Sequence, residues 1–389
     1  MKVVKYLPIL GLLYFSTALR AQQPSVAEKV RSTLKQQIED QAAWALREQP
    51  QTITATICTR SEGGVHDFYS EGDYWWPDPQ NPQGPFVRRD GQSNPENFVS
   101  HRRAMIRFSR IIGALASAYT LKPDPIYLEH AIKHLEAWFV HADTKMNPNL
   151  LYAQAIKGLF SGRGIGIIDT IHLIEVAQGM LVFERAEDFP VETKQKVHEW
   201  FAEYLDWITS HQYGLDEMKA SNNHGTCWVL QVASFAKLVG DKAKLELARE
   251  RFKTVLLPTQ LSSDGSFPLE LSRTKPYGYS LFNLDAMVMI AHILSSSEDN
   301  LWEFSTDSGA SLRTAMEFMY PFMKNKDAWP YQKDVMYWEQ WPVAQPALVF
   351  CASAYNKDQW IELWAKLDHL PTQGEVIRNL PIRNPVIWF

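Results

Sequence analysis

Apolar residues recur at helical spacing along most of this chain. In Val191–His211, the residues Val197, Trp200, Phe201, Tyr204, Leu205 and Ile208 fall on one face, with charged positions opposite. Val26–Arg47 and Arg102–Tyr119 repeat the pattern, and Pro125 opens a helix over Ile126–Val140 from its first turn. Asp169 is expected to cap a helix reaching about Arg185. Further helices are predicted at Thr226–Leu238, Lys242–Leu257, Tyr279–Leu294, Ser311–Met323 and Asp358–Leu367, with Gly240 as a helix–helix turn. Helices in succession without strand alternation imply antiparallel hairpins. The expected fold is all-α, a toroid of such hairpins, or (α/α) barrel. No fixed-period repeat supports a simple solenoid.

Three long stretches lack helical pattern: Asp73–Asn97, Thr144–Ile168 and Ser262–Tyr279. Long loops of this kind in a compact domain usually carry function. The C-terminal tail, with Pro371, Pro381 and Pro385, reads as irregular.

Composition narrows the picture. The chain has 389 residues, 46% of them hydrophobic, enough for a large core. A formal charge of −5 argues against a general affinity for nucleic acid, yet leaves room for a basic cleft that attracts an acidic ligand. Lys2 and Lys5, the apolar run Leu7–Leu19 and the small residue Ala21 read as a secretory signal over 1–21. The expectation is a periplasmic or secreted protein with one domain over 22–389. No later segment reaches membrane length. Cys58, Cys227 and Cys351 are too few and too scattered for a disulfide framework, and read as buried thiols.

The loops carry the candidate chemistry. Glu71-Gly-Asp-Tyr-Trp-Trp-Pro-Asp-Pro79 offers Trp75 and Trp76 as flat faces for sugar rings, and Arg88 follows as a partner for an acid. Gln154 and Arg163 flank a glycine-rich turn, Ser161–Gly166, that is no phosphate loop. Asn222-Asn223-His224-Gly225 suits a helix N-cap, and also presents an amide and an imidazole where a carboxylate binds well. Arg273, Tyr277 and Tyr279 place a guanidinium beside two phenols, and a guanidinium favours a phenolate. Together these groups can remove a proton from a carbon next to a carboxylate. His130 and His134 lie four apart but lack further ligands, and read as a solvated pair.

At these residues the chain resembles bacterial alginate lyases and their helical-barrel relatives, above all the branch that includes polysaccharide lyase family 38. The resemblance rests on Gly72–Pro79, Asn147–Gln154, Gly162–Ile168, Asn222–Thr226 and on Arg273 with Tyr279. It implies an incomplete (α/α) toroid and a lyase acting on a uronic acid polymer by β-elimination. It assigns Asn223, His224 and Arg273 to the uronate carboxylate and Tyr279 to proton movement. In the better-known alginate lyase branch the tyrosine stands one residue further on, where this chain has Ser280. Tyr279 fits the other branch, and Tyr277 remains its rival. The resemblance implies an acidic polysaccharide partner and requires no metal or other cofactor. A glycoside hydrolase using Asp73, Asp78, Glu270 or Asp285, and a non-catalytic glycan-binding protein, are the alternatives. Oligomeric state is left open.

Overall fold

The computed structural model describes residues 24–389. The secretory signal expected over 1–21 lies outside them. Fifteen α-helices occur among the described residues. In chain order they begin with α1 (Val26–Ala45), α2 (Ser100–Leu121), α3 (Pro125–Phe139), α4 (Leu173–Phe183) and α5 (Val191–Ser210). Next come α6 (Gln212–Met218), α7 (Asn223–Val239), α8 (Lys242–Arg251), α9 (Leu257–Gln260) and α10 (Pro268–Leu271). The last are α11 (Pro276–Leu294), α12 (Leu312–Lys324), α13 (Pro346–Tyr355), α14 (Asp358–Trp364) and α15 (Gly374–Arg378).

The burial pattern sorts these helices into two layers. Helices α4, α7, α11 and α13 are buried on nearly every face, as a helix with apolar residues all round must be. The amphipathic α1, α5 and α12 bury one stripe and show charges outward. Neighbours pack in the order α1, α2, α4, α7, α11, α13, and α13 returns to α1. The layout is an (α/α) toroid around one large core that runs from Val30 to Trp388. Gly240, left-handed at φ +75°, ends α7 before α8, as the sequence predicts.

Several expectations need correction. Asp169 caps nothing: it is buried in a 3₁₀ turn and accepts hydrogen bonds from Ser70, Arg102 and Gln154. His130 and His134 are buried rather than solvated, and their Nε2 atoms meet the Glu48 carbonyl at 3.0 and 3.2 Å. The three cysteines are free and buried. The expected loops hold four short strands, β1 (Tyr69–Glu71), β2 (Trp75–Trp76), β3 (Val87–Arg88) and β4 (Tyr152–Ala155). β1 pairs with β4 in parallel, and β2 with β3 antiparallel. The tail is less irregular than expected, because α15 folds against the mouth of the toroid. No single helix among the described residues is long and apolar enough to cross a membrane.

Candidate active site

A cleft of about 600 Å³ opens where the strand-bearing loops meet α6, the start of α7, the turn before α11, and α15. It is lined by Asn222, Asn223, His224, Arg273 and Tyr279, with Trp75, Arg88, Gln154 and Arg163 on the facing loops. Two sequence candidates lie elsewhere. Trp76 does not line the cleft; its Nε1 donates to the Gln92 carbonyl, and Arg89 stacks on its ring. Tyr277 is fully buried and donates to the Phe322 carbonyl at 3.1 Å, between Trp329 and Trp338. The helix begins at Pro276, three residues before the predicted start at Tyr279, so Tyr277 and Tyr279 both lie in its first turn. Two residues apart on a helix point to nearly opposite sides.

Asn222 is the N-cap of α7, its Oδ1 accepting from the His224 N–H. That places Asn223 and His224 in the first turn, at the positive end of the helix dipole. Asn223 is clamped by Glu270: its backbone N–H donates at 2.7 Å and its Nδ2 at 2.9 Å. A carboxamide nitrogen carries two hydrogens, so one remains for a ligand. Burial raises the Glu270 pKa. His224 Nδ1 meets Glu217 Oε1 at 2.7 Å, which orients the ring and turns Nε2 to the cleft.

Arg273 is held by Asp90, with Nε and Nη2 donating at 3.2 and 3.0 Å. Burial, the largest single influence, would lower its pKa, but Asp90, Tyr279 and Glu270 together outweigh it, and the net direction is up. The guanidinium lies over the Tyr279 ring, 4.2 Å from its centre. The Tyr279 hydroxyl donates to the Tyr74 hydroxyl at 3.0 Å. The expectation that the guanidinium lowers the tyrosine pKa is met only in part. Burial, then Tyr74, pushes the phenol well above its ordinary value, and Lys275 and Arg273 only moderate the rise.

The facing loops carry further cations. Gln154 adopts a left-handed backbone, φ +49°, which costs energy for a non-glycine residue. Its amide bridges Asp169 and Arg163. Arg163 donates to the Gln154 carbonyl and forms no ion pair among the described residues. Burial and the nearby Arg88 lower its pKa to about 10. The glycines beside it serve the protein's own packing: a Cβ at Gly162 would lie 1.9 Å from the Leu151 carbonyl oxygen, and one at Gly166 would strike Ala153.

Sequence reasoning missed several residues here. Tyr74, Asp90, Glu217, Glu375, Arg378 and Asn379 all line the cleft or hold its lining. Tyr74 stands inside the Glu71–Pro79 motif and Asp90 in the long stretch Asp73–Asn97, while Glu270 enters the sequence reading only as a hydrolase acid. Three of the acids at the cleft are engaged: Asp73 with Arg102 and Arg378, Glu217 with His224, Glu270 with Asn223; the carboxylate of Asp216, also in the lining, accepts only from Gln212 among the described residues.

A helical toroid whose cleft gathers amide, imidazole, guanidinium and phenol is the arrangement of a polysaccharide lyase. The alginate lyase family model matches residues 52–329, and the chain belongs to that family. It is similar to an alginate lyase from Bacteroides ovatus, with 29% identity, a TM-score of 0.79, and coverage of 94% of this chain and 96% of that one. It also shares its fold with alginate lyase A1-III from Sphingomonas species A1, at 14% identity and a TM-score of 0.52, covering 88% and 92% of the two chains. No curated protein matches the chain.

Proposed function

We propose that the cleft cleaves β-1,4-linked uronans, poly-mannuronate or glucuronan, by syn β-elimination with Tyr279 moving the proton. The observation that carries this reading is the convergence of Asn223, His224, Arg273 and Tyr279 on one cleft. The C5 proton of a uronate is weakly acidic, and its removal puts charge on the carboxylate as an enediolate. The free N–H of Asn223, the guanidinium of Arg273 and the ring of His224, held by Glu217, would stabilise that charge. Tyr279, as phenolate, removes H5 and returns the proton to the O4 leaving group. Arg163 and Arg88, which line the cleft, would hold the carboxylate of a neighbouring sugar, and Trp75 would offer it a ring face. Read with the secretory signal, the enzyme acts in the periplasm or outside the cell.

One group can serve both steps only where H5 and O4 share a side of the ring. Mannuronate and glucuronate meet that condition; guluronate, the C5 epimer, does not. The test is ultraviolet detection of the new C4=C5 double bond on the three polymers. The expected order has poly-mannuronate or glucuronan ahead, and dominant activity on poly-guluronate would overturn the single-tyrosine scheme.

A further inference from the structure

The phenol that must lose a proton sits where burial opposes its charge, so something near it has to favour the anion. Tyr74 is the contact that its hydroxyl makes. The Tyr74 oxygen in turn accepts from Lys275 Nζ at 2.9 Å and from Arg378 Nη2 at 3.3 Å, and donates to Glu375 Oε1 at 3.2 Å. Lys275 is buried, its Nζ 5.1 Å from the centre of the Tyr279 ring, and it is ion-paired with Glu375. Burying an ammonium and a carboxylate costs more than packing two apolar side chains of the same size. Packing alone therefore does not account for the pair.

We propose that Lys275 is a positioning residue for the tyrosine pair: it fixes Tyr74 and, through Tyr74, sets how readily Tyr279 gives up its proton. The inference rests on the reading of Tyr279 as the proton-moving group. When Tyr279 loses its proton to solvent, its oxygen becomes an acceptor. The Tyr74 O–H then turns from Glu375 to Tyr279, while Glu375 keeps Lys275 as its partner. The new phenolate stands one hydrogen bond from an ammonium.

Charges nearby are balanced without Tyr279. Asp73, Asp169 and Glu375 face Arg102, Arg378 and Lys275 in one connected cluster. Arg273 and Arg88 are matched by Asp90 and Glu270. Beyond these, His224 with Glu217 lies across the cleft, and Asp334 accepts from the Tyr277 and Gly278 N–H groups at the start of α11. Removing Lys275 leaves the cluster one negative charge in excess beside the phenol, and removing the Glu375 charge leaves one positive charge in excess.

The sign of that imbalance gives the test, which is the pH profile of kcat/KM on the preferred uronan. In Lys275→Met the acid limb moves up by about one to two pH units, so activity falls at neutral pH and recovers in alkali. Lys275→Arg moves the limb back toward wild type. Glu375→Gln moves it down, and this variant carries the test if Lys275→Met does not fold by circular dichroism. A purely structural role lowers activity by one factor at every pH, and does not give shifts of opposite sign. Unshifted limbs, or shifts of the same sign in both variants, overturn the role of Lys275. Tyr279→Phe separates the two readings. If it is inactive while the limbs stay put, only the Lys275 inference fails. If it stays active, the tyrosine reading fails with it.

Discussion

Two phenols stand two positions apart at the start of α11, and the structure gives them opposite predictions. Tyr279→Phe removes one O–H that donates to Tyr74 at 3.0 Å. A neutral hydrogen bond contributes about 1 kcal/mol net. In a domain of this size that loss lowers the thermal midpoint by about 3 °C at most. The ring remains, and so does Arg273 on its face, so substrate binding is expected to persist. The rate is expected to fall by about 10⁴ or more, because in the proposed scheme one hydroxyl is both base and acid. Tyr277→Phe reverses the pattern. It strands the buried Phe322 carbonyl, at a cost of about 1–3 kcal/mol, and leaves turnover unchanged. Product absorbance gives the rates, calorimetry the binding and circular dichroism the midpoints. Turnover of Tyr279→Phe within about tenfold of wild type would refute the reasoning, as would an inactive but well-folded Tyr277→Phe.

Other substitutions probe the groups around the carboxylate. Glu217→Gln weakens the bond that orients His224, and kcat/KM is expected to drop by about 10- to 100-fold; an unchanged value removes His224 from the scheme. Arg163→Ala is expected to raise KM by about tenfold with little change in kcat, the mark of lost uniform binding; a fall in kcat alone contradicts its assignment to a neighbouring sugar. Asp73 gives a pH prediction: burial works against its charge, but Arg102 and Arg378 prevail and hold its pKa at about 2, below the ordinary 3.8. The folded value is the lower one, so the stabilisation is complete above the unfolded pKa and is lost as pH falls through the folded one. The stability gap between wild type and Asp73→Asn should narrow by about 2 kcal/mol between pH 4 and pH 2, measured by urea denaturation; a flat gap refutes the pairing.

Much of this was readable from the chain. Helical periodicity is a local signal, so the predicted spans match α1, α2, α3, α5 and α12 to within a few residues. The missed α13 is apolar on all faces and shows no stripe, and α15 is too short to show a period. The Asn222 cap was legible because amide side chains before a helix do one local job. Lys275, Glu375 and Arg378 were not, because their pairing joins segments about a hundred or more positions apart in the chain. The direction of the Tyr279 shift failed for a related reason. A neighbouring arginine can be seen in a sequence, but the depth of burial cannot.

The short helix α15 gives the toroid an order of completion. Asn223, His224, Arg273 and Tyr279 all leave the ribosome well before Glu375 and Arg378, which anchor Tyr74 and Asp73 from the far side of the cleft. A nascent or clipped chain can hold the full reactive quartet and still lack the latch that sets its geometry. A chain cut ahead of Gly374 is therefore expected to hold the loops around Tyr74 and Asp73 less tightly, a loss that hydrogen exchange over those two residues would read out.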